Sequence, residues 1–342
     1  MASPTEKNPP PRKWLVTGAA GFIGSHLVEE LLRQGETVTG FDNLSTGKPA
    51  NLDEVKARLD GADWSRFSWV KGDIENLPAL SMAADGCDVI LHEAALGPVP
   101  LSLENPLQTH ASNATGFIHV LEAARARGIQ RVVYASSSAV YGDCLEQPIR
   151  EQSAGAVLSP YAASKLIDEI YARTYAAAYG MELVGLRYFN VFGPRQDPNG
   201  AYAAVIPKWI NALLSNEPVI INGNGENTRD FCFVKDVVRA NIKAASAPLP
   251  PRSALALNVG GGRRISLTEL FNLLAALSSG QNTDSGKASP RPNFGPARSG
   301  DILHSMADVS AAEAEIGFRA QCDLEASLRE TFEWFASNRP RP

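Results

Sequence analysis

WLVTGAAGFIGSHLVEELLRQ, residues 14–34, runs from a short apolar stretch through a cluster of glycines into a helical pattern. WLVTG has the length and composition of a buried strand, and FIGSHLVEELLRQ carries its apolar residues at helical spacing. Between them GAAGFIG sets Gly18, Gly21 and Gly24 three residues apart. Glycine allows a tight strand-to-helix turn and lets backbone approach a phosphate, while the helix N-terminus offers free N–H groups to the anion. The spacing is GxxGxxG, not GxGxxG, and alone such a turn also serves simply to pack a helix on a strand.

Working outward, the same alternation continues. TVTGFD (37–42), FSWVKGD (67–73), DVILHEAA (88–95), RVVYASS (131–137) and MELVGLRY (181–188) read as further buried strands. Helical stretches lie between them: one from about residue 50, NLPALSMAA, then about 103–127 and 160–179. Strands alternating with helices imply right-handed crossovers and an α/β, doubly wound parallel sheet of the Rossmann type. After Phe192 the pattern loosens. WINALL is helical, PVIINGNGENTRDF reads as a strand pair about a Gly/Asn turn, and residues 278–300 read as an extended loop. VKDVVRANIKAA (234–245) and ALALNVGGG (254–262) return to the sheet, and LTELFNLLAAL with a helix near 323–337 completes a smaller mixed α/β lobe. The expected division is a flexible lead over 1–12 and a dinucleotide-binding domain over 13–192 with returns near 230–262. The substrate lobe comprises 193–229 and 263–342.

The acid after the glycine turn narrows the cofactor. Asp42 ends the second strand, 18 residues beyond Gly24. A carboxylate there accepts from both ribose hydroxyls of NAD and repels a 2′-phosphate, although in DNLSTG it also suits a plain turn. Asp73, in GDI after the third strand, is placed to accept from an adenine amino group. The small residues of HEAALG, Ala94 and Ala95 among them, would let a dinucleotide lie flat across the strand ends.

LSPYAASK (158–165) then sets Tyr161 and Lys165 four apart, one helical turn, just downstream of the serine-rich strand end SSSAVYG (136–142). A free tyrosine titrates near about 10 and is a poor base at neutral pH. A lysine ammonium and a cationic nicotinamide both favour the phenolate, and a serine hydroxyl can share the substrate proton. The pair is common by chance; with the glycine turn and the serines upstream it reads as a proton-handling group of Ser137, Tyr161 and Lys165.

Bulk composition excludes several classes. The chain of 342 residues is 44% hydrophobic and 20% charged, with net charge −5, so nothing favours nucleic acid or an anionic membrane. Cys87, Cys144, Cys232 and Cys322 form no metal spacing, and the five histidines are scattered, so no metal site is expected. The N-terminal segment lacks a signal-like apolar core and no apolar run reaches 18 residues, from which a cytoplasmic location is expected.

With these residues in hand, the chain resembles the extended short-chain dehydrogenase/reductase family, and within it the UDP-hexose 4-epimerases, through GAAGFIG, DNLSTG, GDI, SSSAVYG, SPYAASK, RYFNVFGPRQDP, INGNGENTRDF and RSGD. The resemblance implies catalysis by Ser137, Tyr161 and Lys165. It implies an NAD site of Gly18, Gly21, Phe22, Ile23, Gly24, Asp42, Asn43, Ser45, Thr46, Gly47, Asp73, Ile74, Ala94, Ala95, Asn113 and Phe189, with Tyr161 and Lys165. Asn190, Arg229 and Arg298 would hold the UDP diphosphate, with Ala204, Val205, Lys208 and Asn222 wrapping the nucleotide. Ser138 and Ala139 follow Ser137 where dehydratases of this scaffold carry an Asp-Glu pair, which disfavours elimination of water.

One position bears on the sugar. In the resembled epimerases the residue four beyond the Asp of RxGD, here Asp301, flanks the C2 substituent; here it is Ser305, small enough for an N-acetyl group. Gly97, Ser138, Gln196 and Ala204 add to a roomy pocket. GPVPLS and RSGDILHSMAD look most like the bacterial branch acting on UDP-N-acetylglucosamine, from which Pro98 and Ala139 depart. The expectation is reversible epimerisation of UDP-N-acetylglucosamine to UDP-N-acetylgalactosamine. The alternatives are a 4-epimerase or decarboxylase of UDP-glucose, UDP-galactose or UDP-glucuronate, and a silent binding module, against which the intact triad argues. The resemblance also implies a homodimer through a four-helix bundle of 103–127 and 160–179, whose apolar faces would otherwise only cover the sheet.

Overall fold

The computed structural model describes residues 11–199, 203–281, 290–296 and 303–339. Seven parallel strands form one sheet: β1 (Lys13–Thr17), β2 (Thr37–Asp42), β3 (Phe67–Lys71), β4 (Val89–His92), β5 (Arg131–Ser137), β6 (Glu182–Tyr188) and β7 (Ala254–Val259). Their spatial order is β7-β6-β5-β4-β1-β2-β3. The chain therefore works outward in one direction from β1 to β3 and in the other from β4 to β7. The order reverses between β1 and β4, where open sheets of this kind leave a crevice at the strand C-termini.

Strand alternation supplies two cores. Leu15 and Val16, adjacent on β1, are both fully buried but on opposite faces. On one face Val16 meets α1 (Phe22–Arg33), α2 (Pro49–Arg58) and a later helix, Val234–Ser246, through Leu27, Val55 and Val237. On the other, Leu15 meets Leu80 of α3 (Leu77–Ala83), Phe117 and Val120 of α4 (Gly116–Ala126), and Ala172 of α5 (Pro160–Tyr179). Parallel strands covered on both faces read as continuous apolar runs, which is why they are visible in the sequence.

Three expectations are corrected. β3 is the sheet edge and mostly exposed rather than buried. The segment 103–127 is not one helix: Val99–Glu104 ends before Pro106, which lacks an N–H and holds Asn105 at φ −130°, ψ 65°. Pro106–His110 restarts the helix, and a π-turn, Ala111–Thr115, joins it to α4. PVIINGNGENTRDF is no hairpin. Ile220–Asn222 pairs parallel with Asn293–Gly295, and Thr228–Arg229 pairs antiparallel with Ile265–Ser266. Such short strands have little to gain from one another and take distant partners instead.

The smaller lobe packs α6 (Val205–Leu214), α8 (Leu267–Gln281) and α10 (Leu324–Ser337), with Val234–Ser246 as α7 and Ser310–Ile316 as α9, around Trp209, Phe271, Leu274, Leu328 and Phe332. Helix α8 and the strand Asn293–Gly295 both enter the stretch expected to be a loop. Among the described residues no helix is long and apolar enough to cross a membrane.

Candidate active site

The glycine turn is built as a cradle. Gly18 has φ +68°, and a Cβ there would stand 2.8 Å from the Ala94 nitrogen; a Cβ on Gly24 would stand 2.0 Å from the Gly18 carbonyl oxygen. The first bond into α1 runs from the Ser25 N–H to the Gly21 carbonyl, so the N–H groups of Phe22, Ile23 and Gly24 have no acceptor within the helix. A cleft of about 290 Å³ opens there. Of the cofactor residues expected from the sequence, Gly18, Gly21, Phe22, Ile23, Gly24, Asp42, Asn43, Ser45, Thr46, Ile74, Ala94 and Ala95 line it, as does Gly97. A close-approach turn, open helix N–H donors and a strand-end carboxylate acceptor are the set of groups a dinucleotide requires, so the site fits NAD.

Gly47, Asp73, Asn113 and Phe189, also expected there, do not line this cleft. Asp42 is buried, which raises its carboxyl, while N–H donors from Leu44 (2.7 Å) and Ala20 (3.0 Å) draw it back down. A Cβ on Gly47 would touch that carboxylate, at 2.8 Å. Asp73 accepts from the Asn43 amide at 2.8 Å, bracing the β2 and β3 ends together. Asn113, in the π-turn, is fully buried: it accepts from Leu96 N–H (2.8 Å) and donates to the Leu96 carbonyl and to Ser164 Oγ (both 3.1 Å). It staples the loop after β4 to α5. The Phe189 side chain is fully buried beside Tyr141 and Val140, in a core and not on the cleft wall.

The residues expected to handle protons are set by capping. Ser159 is the N-cap of α5 and accepts from Ala162 N–H at 3.1 Å; Pro160 takes the first helical position, so Tyr161 falls in the first turn and Lys165 one turn on. Ser137 ends β5 and its Oγ accepts from Ala139 N–H at 3.1 Å; Ser138 opens the 3₁₀ turn Ser138–Tyr141, against which α5 packs. Lys165 is almost wholly buried and its Nζ donates to Asp168 Oδ2 at 3.2 Å. Burial pushes the Asp168 carboxyl up to about 7 despite Lys165, and its other oxygen has no hydrogen-bond partner among the described residues. His92 lies 2.7 Å from Thr17 Oγ1, and burial, with Lys165, lowers it to about 3, so it is neutral. Beneath this layer Arg187 bonds both oxygens of Glu169 (2.8 and 2.6 Å), and Ser136 Oγ donates to the same carboxylate at 2.7 Å.

A second cleft, of about 560 Å³, is lined by Asn190, Val205, Lys208, Asn222 and Arg229, all expected on the nucleotide. Asn190 has φ +34° and donates to the Asp230 carbonyl at 2.9 Å. Ala204 is the N-cap of α6. The Asp230 side chain is fully buried and accepts from Gly261, Gly262 and Ala307 N–H groups; burial lifts it to about 6 against those bonds. Ser305 is buried, and its N–H donates to the Thr228 carbonyl at 3.2 Å. Gln196 turns inward to donate to the Val191 carbonyl at 3.0 Å. Arg298 and Asp301 lie outside the described residues.

Sequence reasoning missed Phe41, Gly72, Leu96, Ser112 and above all Glu93 in the first cleft, and Pro198, Trp209 and Asn211 in the second. A charged residue inside the apolar run ILHEAA was the available signal for Glu93.

Comparison with known proteins agrees with this geometry. The profile of the NAD dependent epimerase/dehydratase family matches residues 14–260, and the chain belongs to that family. It is 36% identical over 323 residues to the UDP-glucose 4-epimerase of Mycolicibacterium smegmatis, covering 94% of this chain and 97% of the other. It is 33% identical over 335 residues to the UDP-glucuronate 4-epimerase of Thermodesulfobacterium geofontis, covering 95% and 96%. Among solved structures it is similar to the UDP-N-acetylglucosamine 4-epimerase of Methanobrevibacter ruminantium in complex with UDP-N-acetylmuramic acid. That match has TM-score 0.87 and 36% identity, covering 96% of this chain and 99% of that one.

Proposed function

We propose that this chain, a UDP-sugar 4-epimerase, interconverts UDP-N-acetylglucosamine and UDP-N-acetylgalactosamine. NAD, when bound, would supply the acceptor and then the donor of a hydride at the sugar C4. Tyr161, supported by the buried Lys165, removes the proton of the C4 hydroxyl, and Ser137 shares it. The 4-keto sugar turns about its diphosphate and is protonated again at oxygen after reduction on its other face. Asn190, Lys208, Asn222 and Arg229 hold the UDP while it turns, Arg229 being suited to a bidentate phosphate contact. Arg298 joins them in this reading, with residues 193–229 and 263–342 as the nucleotide-sugar lobe.

The observation that carries the choice of sugar is the position of Ser305. Its segment runs along the strand Thr228–Arg229, whose Arg229 lines the second cleft, and its own small side chain is buried beside that strand. Gly97, with nothing within 4 Å of an added Cβ, adds room. To test this, purified protein without added NAD is incubated separately with UDP-N-acetylglucosamine, UDP-glucose and UDP-glucuronate, and C4 inversion is followed by proton NMR. Faster inversion of the acetylated sugar supports the reading. Turnover of UDP-glucose or UDP-glucuronate alone leaves an epimerase and overturns the Ser305 argument.

A homodimer belongs to the same reading. Helix α5 exposes Ile170, Tyr171 and Tyr179, and Leu103 and Leu107 are exposed on the helical segments before the π-turn. Two copies pairing these faces would bury them in a four-helix bundle. Light scattering at micromolar concentration is expected to return twice the chain mass; a monomer mass rejects the assignment.

A further inference from the structure

Glu93 is a second carboxylate in the cofactor cleft, besides Asp42. It follows β4, is half-buried, and lines the cofactor cleft. Its Oε1 accepts from the Tyr188 hydroxyl at 2.8 Å, and that hydroxyl accepts in turn from the Asn241 amide at 2.8 Å. β6 and α7 thus hold the carboxylate in one orientation from behind.

Strand order locates it along the cleft. At the C-terminal edge of the sheet the neighbours run Asp42 on β2, the glycine turn after β1, Glu93 after β4, and Ser137 on β5. A dinucleotide laid from Asp42 across the glycine turn toward Ser137 and Tyr161 has its nicotinamide half on the Glu93 side. This orientation rests on the catalytic reading given above, but on no choice of sugar.

The charges facing Glu93 come from each side. Tyr188 on β6 and Asn241 on α7 are neutral, His92 beside it on β4 is neutral, and Cys232 lies behind Tyr188 with its thiol pushed up by burial. From α5 comes Lys165, whose ammonium is already bonded to Asp168. Burial lifts the Glu93 carboxyl to about 7, with the Tyr188 hydroxyl and then Lys165 pulling it down. The carboxylate is therefore short of positive charge.

We propose that Glu93 is a cofactor-binding residue that favours the oxidised dinucleotide over the reduced one. The oxidised nicotinamide ring is a cation and the reduced ring is neutral, so a carboxylate in a low-dielectric cleft attracts only the first. The ring supplies the counter-charge that the protein withholds, and its arrival favours loss of the Glu93 proton. An enzyme that must return its hydrogen to the same sugar gains by resting in the oxidised state, ready for the next substrate.

The test needs no sugar. Wild-type, Glu93→Gln and Tyr188→Phe proteins are brought to constant composition against NAD and NADH mixtures of known ratio at several pH values from 6 to 8. Free cofactor is removed, and the bound ratio is measured after acid and alkaline extraction. At pH 8 the wild type is expected to enrich the oxidised form about tenfold more than Glu93→Gln, equivalent to about 30 mV for a two-electron couple. Toward pH 6 that enrichment falls, and most of the fall is lost in Glu93→Gln; Asp168, which titrates in the same range, accounts for the remainder. Tyr188→Phe keeps the charge but removes its donor, so the midpoint moves to higher pH. A bound ratio in Glu93→Gln within twofold of wild type at pH 8 overturns the proposal, and so does a wild-type ratio constant from pH 6 to 8. Should Glu93→Gln not fold, an unmoved midpoint in Tyr188→Phe overturns it equally.

Discussion

Around the cofactor cleft, strands of four to seven residues lie side by side in one parallel sheet, whereas beside the second cleft the strands are two or three residues long and pair in separate couples. In the first region most wall residues follow the C-terminal ends of neighbouring parallel strands, and the segments there are pinned together by Asn43–Asp73 and Asn113–Ser164. In the second, position is set by contacts between distant parts of the chain, such as Asp230 holding the 261–262 turn and Ala307. A scaffold that holds a dinucleotide gains from the first construction. On the proposed function, a surface that holds a nucleotide while its sugar turns needs less continuity, since its contacts fall on the part of the substrate that does not react.

The sharpest way to break this comparison is to remove chemistry from the rigid region and ask whether anything else moves. Tyr161→Phe deletes only a hydroxyl from a half-buried side chain, and that hydroxyl makes no hydrogen bond to the buried network among the described residues. The expected outcome is a loss of about 10²–10⁴ in kcat, with bound NAD and melting temperature unchanged. If NAD is lost as well, Tyr161 is part of the scaffold and the division fails.

Next in size is Glu169→Leu, which leaves Arg187 buried beneath the Ser137 strand end without its counter-charge. Breaking a buried pair on one side costs about 3–5 kcal/mol. Denaturant unfolding is the measurement, and a loss below 1 kcal/mol would mean that the strand end is not held by this pair.

How much of this was legible follows from the same contrast. β5 and α5 begin and end where the apolar run and the Ser159-Pro160 start signal put them, because a buried strand and a capped helix are specified by adjacent residues. The glycine cradle was equally plain. The pairing of Ile220–Asn222 with Asn293–Gly295 was not, since the two segments are some seventy residues apart and neither carries a periodic pattern. Edge position also has no local signature: FSWVK looks as apolar as an inner strand, yet it lies at the rim. Glu93 was passed over because it is surrounded by residues that announce only a strand. Ser305 could be singled out only through resemblance to a family, not through its own chemistry.

Ser305→Tyr probes the less continuous region. A tyrosine there fills space that the proposal gives to the N-acetyl group. Activity on UDP-N-acetylglucosamine is expected to fall about 10–200-fold while UDP-glucose turnover changes less than threefold, the range available to steric selection in a pocket. Equal losses on both sugars would assign Ser305 to holding the segment on Thr228, and not to selecting the sugar.

The smallest effect lies at the seam between the regions, where α1 meets the loop after β6. Arg195, fully buried, bonds Glu29 and lies 3.4 Å from Glu54, and the His26 Nε2–H donates to the Pro194 carbonyl at 3.0 Å. Burial first, and then the Arg195 charge, lowers His26 to about 3. The unfolded chain takes up a proton on this histidine near its ordinary value of about 6.5, while the folded chain does not until much lower pH. Between those values the unfolded state binds more protons, so this contribution is intact above 6.5 and erodes as pH falls toward 3. His26→Gln keeps an amide donor for Pro194 and cannot titrate. The buried carboxylates Glu93, Asp168 and Asp230 titrate alike in both proteins and cancel in the difference. The stability gap between wild type and His26→Gln, from denaturant unfolding, should therefore shift against the wild type by about 1 kcal/mol between pH 6.5 and 5.5. A gap that stays constant would mean that His26 takes up its proton in the folded protein at the same pH as in the unfolded chain, so that neither burial nor Arg195 keeps it neutral.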